Sequence, residues 1–269
     1  MIKEISIEHL ITPKINLEFE SGRFLIKILS TQAELTEAYQ LRYQAFQVEM
    51  AGSTASNGID QDEFDIFADH LGIFDRKSGQ LIATARFLCS KFTDRFYTEQ
   101  EFECNELMNS NKVKLEIGRV CVEVKFRKGI IVMLLWRAIA TYAKESKAQV
   151  LFGCGSVLTS SAEDIALLHR YLVDEKIVEK MNGVQPKEKY RSANLEKFLI
   201  RSEQTLSDSE RQIAKNLLPP LCQLYFNIGC IVPCVPAFDQ EFKCFDFLTV
   251  LDLENLDPKV KLKLFGNDL

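Results

Sequence analysis

Histidine is scarce in this sequence. His9, His70 and His169 are the only three in 269 residues, too few and too far apart for a histidine-rich metal centre, and no metal is expected. Nowhere do about 18 apolar residues run together, so no segment reads as a membrane span. The opening MIKEISIEHL carries acidic groups and lacks a long apolar core, which does not suit a secretory signal. Eight cysteines are present, but they are dispersed, form no C-x-x-C pair and mostly sit among apolar residues. That pattern fits buried, reduced thiols better than a disulfide framework, and the expected location is the cytoplasm. An excess of positive charge is also missing. With a net charge of −5 and no long basic stripe, a nucleic-acid partner is not expected, and any acidic partner must meet a local basic patch.

What is present is a chain with 46% hydrophobic residues, enough to bury one large core or two modest ones. We expect a leader over residues 1–23, one domain over 24–255 with a charged helical insertion at about 159–216, and a frayed tail over 256–269. Phe24–Leu29 reads as a first strand. A cap at Ser30 or Thr31 with Glu34 opens a helix to Met50, on which Leu35, Ala38, Tyr39, Tyr43 and Phe46 share a face and Arg42 falls near the end. The loop 51–60 has no apolar anchor before Ile59 and is expected to be mobile. Asp60, Asp62, Glu63, Asp65 and Asp69 follow, interleaved with Phe64 and Phe67, so this acidic stretch should fold back onto the body. Residues 70–75 and 80–90 form an antiparallel hairpin around Arg76–Gly79. Arg86 sits there among apolar neighbours, where a charge must be paired or face a cavity. A short helix is expected over Thr98–Met108.

The stretch Val113–Glu145 reads as strand, basic loop, helix. Ile131, Leu134, Leu135, Ala138 and Tyr142 recur at helical spacing after Gly129, and Lys125, Arg127 and Lys128 precede it. Free backbone N–H groups at such a helix start, with cations beside them, suit a phosphate or pyrophosphate; solvated cations on an ordinary turn are the alternative. On the strand, Glu116 and Arg119 are three apart, and Gly118 between them invites a bulge that would turn both to one side. Glu116, desolvated or acting through a water, is a candidate general base. The alternative is a Glu116–Arg119 salt bridge that only closes the cleft. Residues 149–154 read as a further parallel strand, and Cys154 between two glycines reads as structural, since no G-x-S-x-G elbow is present. Lys187, Lys189, Arg191, Lys197 and Arg201 form either a docking surface or a solvated helix. Pro219-Pro220 starts a helix with Leu221, Leu224, Tyr225 and Ile228 inward, and strands near Cys230–Val235 and Cys244–Asp252 pair to close the fold.

The string LEIGRVCV, FRKGIIVMLLWRAIA and LFGCGS, with the basic strand-to-helix loop, resembles the GNAT N-acyltransferases. Within them it is similar to the L-ornithine Nα-acyltransferases that make lyso-ornithine lipid and related long-chain N-acyl amino acids. The second glycine of the usual loop is absent and its spacing is one residue short. That resemblance implies an α/β GNAT fold, a mixed central sheet with a splayed strand and flanking helices. It also implies a long, 3-hydroxylated or plain acyl chain moved from acyl carrier protein to an amino acid, ornithine first. No bound cofactor is expected; acyl-CoA is the alternative donor. Arg42 and Phe46, then Asp62 and Asp65, then Arg86, then Glu116-Ile117-Gly118-Arg119 follow in the order and spacing of the related acyl-homoserine-lactone autoinducer synthases. The match places Arg42, Phe46, Asp62, Asp65 and Arg86 on the acceptor side, with Glu116 and Arg119 as the catalytic pair. The donor side would hold Val120, Val122, Lys125, Arg127, Lys128, Gly129 and Ile130. The tryptophan those synthases carry after the first helix is missing, since Trp136 is the only one. An autoinducer synthase and a silent carrier-binding module are the other readings. A lipid-like product further suggests weak peripheral contact with the inner membrane surface through Leu221, Leu224, Tyr225, Phe226, Phe238, Phe242 and Phe245, unless all seven pack into the core.

Overall fold

The computed structural model describes residues 11–52, 57–127, 129–200 and 205–265. The expected mobile loop lies partly, and Lys128 and Arg201 lie wholly, outside the described residues. Two compact units are built from interleaved stretches of chain. The first comprises the chain to Asp94 and Ile117–Lys147, the second Arg95–Glu116 and Ala148–Lys263.

In the first unit the strand order is β1 (Glu18–Ser21), β2 (Phe24–Ile28), β3 (Asp69–Asp75), β4 (Gln80–Cys89), then β6 (Lys114–Val122). The leader is not loose from residue 11 onward: β1 pairs antiparallel with β2, and Leu17 is buried. Helix α1 (Gln32–Arg42) opens on Thr31, whose side chain accepts from the Glu34 N–H at 3.2 Å, while Glu34 accepts from the Ser30 N–H at 2.9 Å. That reciprocal pair is the capping signal read in the sequence. The helix does not run on regularly to Met50; Tyr43–Met50 is π-helical, a wider coil that re-aims the residues after Arg42.

Both faces of the β3–β4 hairpin are covered, which is why nearly every residue in it is buried. On one face Asp69 stands opposite Phe87. Tyr142 of α4 (Ile130–Ser146) packs there, its ring 4.6 Å from Phe87 and its hydroxyl donating to Asp69 at 2.9 Å. On the other, His70 stands opposite Arg86, and α1 covers them with Tyr39, whose ring is 5.6 Å from His70. Gly72 leaves the room α1's core needs: a Cβ there would come within 2.4 Å of the Leu29 side chain. The α4 stripe read from the sequence is inward as expected, with Ile131, Leu134, Leu135, Ala138 and Tyr142 all buried.

In the second unit the order is β6, β7 (Val150–Val157), β10 (Cys244–Asp252), β9 (Ala237–Asp239). The β6–β7 pairing is parallel and the β7–β10 and β10–β9 pairings antiparallel, so the sheet is mixed. One face packs on α5 (Ala162–Asp174), α7 (Asp208–Leu217) and α8 (Pro220–Asn227) around Leu168, Leu172, Phe245 and Phe247. Four local expectations are corrected here. The single helix expected over Thr98–Met108 is α2 (Thr98–Glu101), β5 (Phe102–Cys104) and α3 (Asn105–Asn109), because β5 pairs with the distant β8 (Val184–Pro186). The charged stretch after α5 is broken up by β8 before α6 (Ala193–Ile200). In α8 Cys222, which fits against Gly155, is buried while Leu221, Leu224 and Tyr225 are half-buried; Ile228 just past the helix is buried as expected. Cys230–Val235 forms only single bridges, Val178 with Val232 and Ile231 with Val250, and β9 takes the edge instead. A short α9 (Pro258–Phe265) follows within the region expected to fray.

Among the described residues no helix is long and apolar enough to cross a membrane. Of the seven apolar residues proposed for membrane contact, Phe245 is buried and Leu221, Leu224, Tyr225, Phe226, Phe238 and Phe242 are half-buried. All eight cysteines are free thiols.

Asp69 is the tie between α4, β3 and the leader, since it also accepts the N–H groups of Lys14 and Ile15, each at 3.0 Å. A hydrogen bond to a buried charged group is worth about 1.5–3 kcal/mol. Tyr142→Phe is therefore expected to lower the unfolding free energy by about 2 kcal/mol in urea titration without changing the m-value.

Candidate functional site

The first unit holds a buried network of three arginines and three aspartates. Arg42, at the last turn of α1, reaches Asp60 through Nε at 2.9 Å and Asp65 through Nη1 at 2.7 Å. Arg86, from the middle of β4, reaches Asp62 at 2.5 Å and the same Asp65 oxygen at 3.0 Å. Arg119, on β6, reaches Asp62 at 3.0 Å and lies 3.4 Å from Asp60. Charges balance three against three, which is what burial demands. Aromatic faces close the remaining sides, Tyr39 under Arg42 at 5.2 Å, Phe64 under Arg86 at 5.6 Å and Phe46 under Arg119 at 5.7 Å.

The backbone bends to make this possible. Next to Gly118, where a bulge is expected, Arg119 takes a left-handed conformation, φ 49°. A branched-out side chain in that region costs on the order of 1 kcal/mol, and its two carboxylate partners and Phe46 hold it there. The acidic loop folds back as expected, with Phe64 and Asp65 buried and the Asp62 N–H donating to Asp65 at 2.8 Å. Burial works to raise the Asp65 carboxyl, but Arg42 and Arg86 beside it bring it down to about 2. Exposure divides the network. Arg42, Asp65 and Arg86 are inaccessible, whereas the side chains of Asp62 and Arg119 remain 24% and 18% exposed, and they are its reachable end.

His70 lies against the same network, its Nε2 3.3 Å from the Asp65 carbonyl oxygen, and burial holds its imidazole at about 4, below the usual 6.5.

The helix start expected to bind phosphate is also in the first unit. Gly129, φ 72°, precedes α4, and no side chain caps the helix. Lys125 is 85% exposed on its side chain. Arg127 is already engaged, donating to the Val122 carbonyl at 2.9 Å and to Glu49 at 2.5 Å. Ile130 is exposed at the helix start, and Val120 and Val122 are half-buried along β6.

In the second unit Glu116 stands opposite Phe152 in the parallel ladder, which is three pairs long, Lys114–Glu116 with Val150–Phe152. Beyond it β7 continues to Val157, paired on its other side with β10. Glu116 is 2% exposed and takes the Tyr97 N–H on Oε2 at 2.8 Å and the Thr98 N–H and hydroxyl on Oε1 at 2.6 and 2.5 Å. Cys154, two residues along the same face of β7, lies 3.7 Å from the Thr98 hydroxyl. Burial first, then Glu101 and Asp246 nearby, push its thiol well above the ordinary range, which suits a structural cysteine rather than a nucleophile. Phe96 stacks edge-on against Phe152 at 5.3 Å and fixes this turn over the sheet.

Sequence reasoning missed Asp60, Tyr97 and Thr98 as site-bearing residues; an acid in a loop and a threonine at a helix start carry no local signal of a partner 18 residues away. It also missed Glu101, Asp239 and Asp246, three buried carboxylates whose oxygens lie within 4.8 Å of one another and could hold a cation. Donors already surround two of them: Ser156 reaches Asp246 at 2.5 Å, and the N–H groups of Glu241 and Phe242 reach Asp239 at 2.7 and 3.0 Å.

His70 gives a pH test. The unfolded chain takes up a proton near pH 6.5 while the folded one resists it to about 4, so the stability this confers is full above 6.5 and is lost as pH falls toward 4. His169, held at about 4 by burial and by Lys180, acts in the same direction, so the comparison must be with a variant. His70→Gln is expected to lose about 2 kcal/mol less than the wild type in urea titrations between pH 7 and pH 5. Equal losses would mean that His70 is not held neutral.

Comparison with known proteins matches residues 41–137 to the family described as acetyltransferase (GNAT) domain. An L-ornithine Nα-acyltransferase of Rhodobacter capsulatus is 25% identical over 250 residues, 87% of this chain and 92% of that protein. Another, of Rhizobium meliloti, is 28% identical over 257 residues, 90% of this chain and 84% of that protein. The solved structure of an N-acyl amino acid synthase from uncultured soil microbes covers 87% of this chain and 93% of its own at 12% identity and a TM-score of 0.47. The chain is a GNAT-fold acyltransferase that resembles, over most of its length, proteins named L-ornithine Nα-acyltransferase.

Proposed function

We propose that this enzyme transfers a long-chain acyl group from an acyl carrier protein thioester to the α-amine of ornithine, forming an N-acyl amino acid of the lyso-ornithine lipid type. The observation that carries this reading is likeness sustained over nine-tenths of the chain to two proteins bearing that name. The amine nitrogen attacks the thioester carbonyl, the tetrahedral oxyanion collapses, the carbon–sulfur bond breaks and the thiolate leaves. The amine must shed a proton along the way, and Glu116 is the base. Three donors aimed at its carboxyl group suit the ionised form, which has lone pairs to offer and no proton of its own to place.

The reachable end of the arginine–aspartate network, Asp62 and Arg119, presents one charge of each sign, as a zwitterionic amino acid requires. The rest of that network braces it. For the donor, the edge of β7 past Phe152 offers backbone groups on which the amides of a pantetheine arm can pair. In the first unit, the uncapped start of α4 and exposed Lys125 suit a phosphate.

Purified protein given 3-hydroxyacyl- and acyl-carrier-protein thioesters, or acyl-CoA, with ornithine, lysine and S-adenosylmethionine as competing acceptors separates the readings by product mass. The account expects acyl-ornithine formed from the carrier thioester. A lactone product would select the autoinducer chemistry, and tight carrier binding without turnover a silent module. Glu116→Gln is expected to lower kcat by roughly a hundredfold in a folded protein. A near-normal rate would remove Glu116 from the mechanism.

A further inference from the structure

We propose that the second unit carries a binding site, separate from the acyl-transfer chemistry, for an amphiphile with a long alkyl chain and a zwitterionic head. A cavity of about 870 Å³ is lined by the ends of β7 and β10, by α3 and by the chain that follows α8. Leu107, Val150, Val250 and Leu256 form its wall and are buried, and Met181 and Ile231 complete it half-buried. No two of them share a helix or strand, so the wall is made by the fold and not by one amphipathic element. Its volume is that of a small-molecule site, which spans about 300–1,000 Å³. The charged groups stand at the open edge. Glu106, Glu179, Asp257 and Lys180 are exposed there, while Lys112 and Asp252 pair at 2.8 Å. Three acids against one base call for a head that brings a cation and tolerates an anion. A chain without such a head, or a head without a chain, would use half of the cavity.

Val250 stands opposite Phe152 and Phe152 opposite Glu116, so the three form one row on one face of β10, β7 and β6, about 10 Å from end to end at ordinary strand spacing. Phe152 is buried in the middle of that row, with Phe96 edge-on against it at 5.3 Å, and the pair partitions the cavity wall from Glu116. A ligand therefore enters at the charged edge, and its chain runs inward along Val150 and Val250. Acyl-ornithine has the composition this asks for, with a carboxylate for Lys180, a side-chain ammonium for the acids and a chain for the wall. Naming it as the occupant rests on the functional reading above; the site does not. Occupied in this way, the second unit shields the chain of a sparingly soluble product from water.

Titration calorimetry with N-octanoyl- and N-dodecanoyl-ornithine, below their micelle concentrations, reads the site without turnover. The dodecanoyl compound is expected to bind on the order of a hundredfold more tightly, since each added methylene is worth about fourfold when fully buried. Dodecanoate, which lacks the ammonium, should bind about tenfold more weakly than dodecanoyl-ornithine. Ile231→Trp enlarges a half-buried wall residue and should weaken dodecanoyl-ornithine about fifteenfold, the loss of about two buried methylenes, while octanoyl-ornithine changes within about twofold. If Ile231→Trp does not fold, Met181→Trp reads the same quantities. In the same variant KM for a dodecanoyl carrier-protein thioester should stay within about twofold of wild type. Affinity that ignores chain length, or that the folded variant leaves unchanged, overturns the site. Weakened ligand binding with an equally raised KM for the dodecanoyl thioester gives the cavity to the donor's own chain and overturns its separateness. Dodecanoate bound as tightly as dodecanoyl-ornithine overturns the zwitterionic head. A protein that binds these ligands as expected yet acylates nothing upholds the site and refutes the functional reading.

Discussion

Charge buried away from water must be matched at close range, and in the first unit that requirement is met by three arginines and three aspartates from four separate stretches of chain. Removing one partner from such a set strands the other, at a cost of about 3–5 kcal/mol. The end of α1, the acidic loop, the centre of β4 and the bend of β6 are consequently placed relative to one another by ion pairs rather than by apolar packing alone. The π-helical run after Arg42 and the left-handed Arg119 are the local concessions that let the geometry close. Asp62 and Arg119 are the partly exposed end of that network, and on the proposed reading they are the part that meets the acceptor.

Glu116 precedes Arg119 by three residues on the same strand and is held by a different device. Its carboxylate is satisfied by one turn of chain, Tyr97 and Thr98, which Phe96 clamps over Phe152. On the reading proposed above, a base fixed in this way loses rotational freedom before the substrate arrives, which favours proton transfer. The β6–β7 ladder ends at Glu116, and the β7 backbone beyond it is where the donor arm is proposed to pair.

Features set by local pattern were legible in the sequence. The α4 stripe, the capping pair at Thr31 and Glu34, the β3–β4 hairpin and the inward fold of the acidic loop all follow from spacing and composition. Arg86 in β4 could be singled out because a charge in an apolar setting must find a partner, whereas Arg42, Asp62 and Asp65 were marked by the resemblance to the autoinducer synthases. What could not be read depended on partners distant in the chain. Phe102–Cys104 became a strand only because Val184–Pro186 lies beside it, and Cys230–Val235 gave up its place in the sheet to Ala237–Asp239. Thr98 looked like an ordinary helix start, since nothing near it in sequence announces Glu116. The left-handed turn of Arg119, next to Gly118, was likewise not legible from residue type.

The central claim is that the α-amine of ornithine is the nucleophile. Ornithine carrying nitrogen-15 only at the α position, incubated with enzyme and an acyl carrier protein thioester, gives a product whose fragmentation locates the amide. The account predicts the acyl group on the labelled nitrogen. An acyl group on the unlabelled side-chain nitrogen, or no acylated ornithine at all, would contradict it.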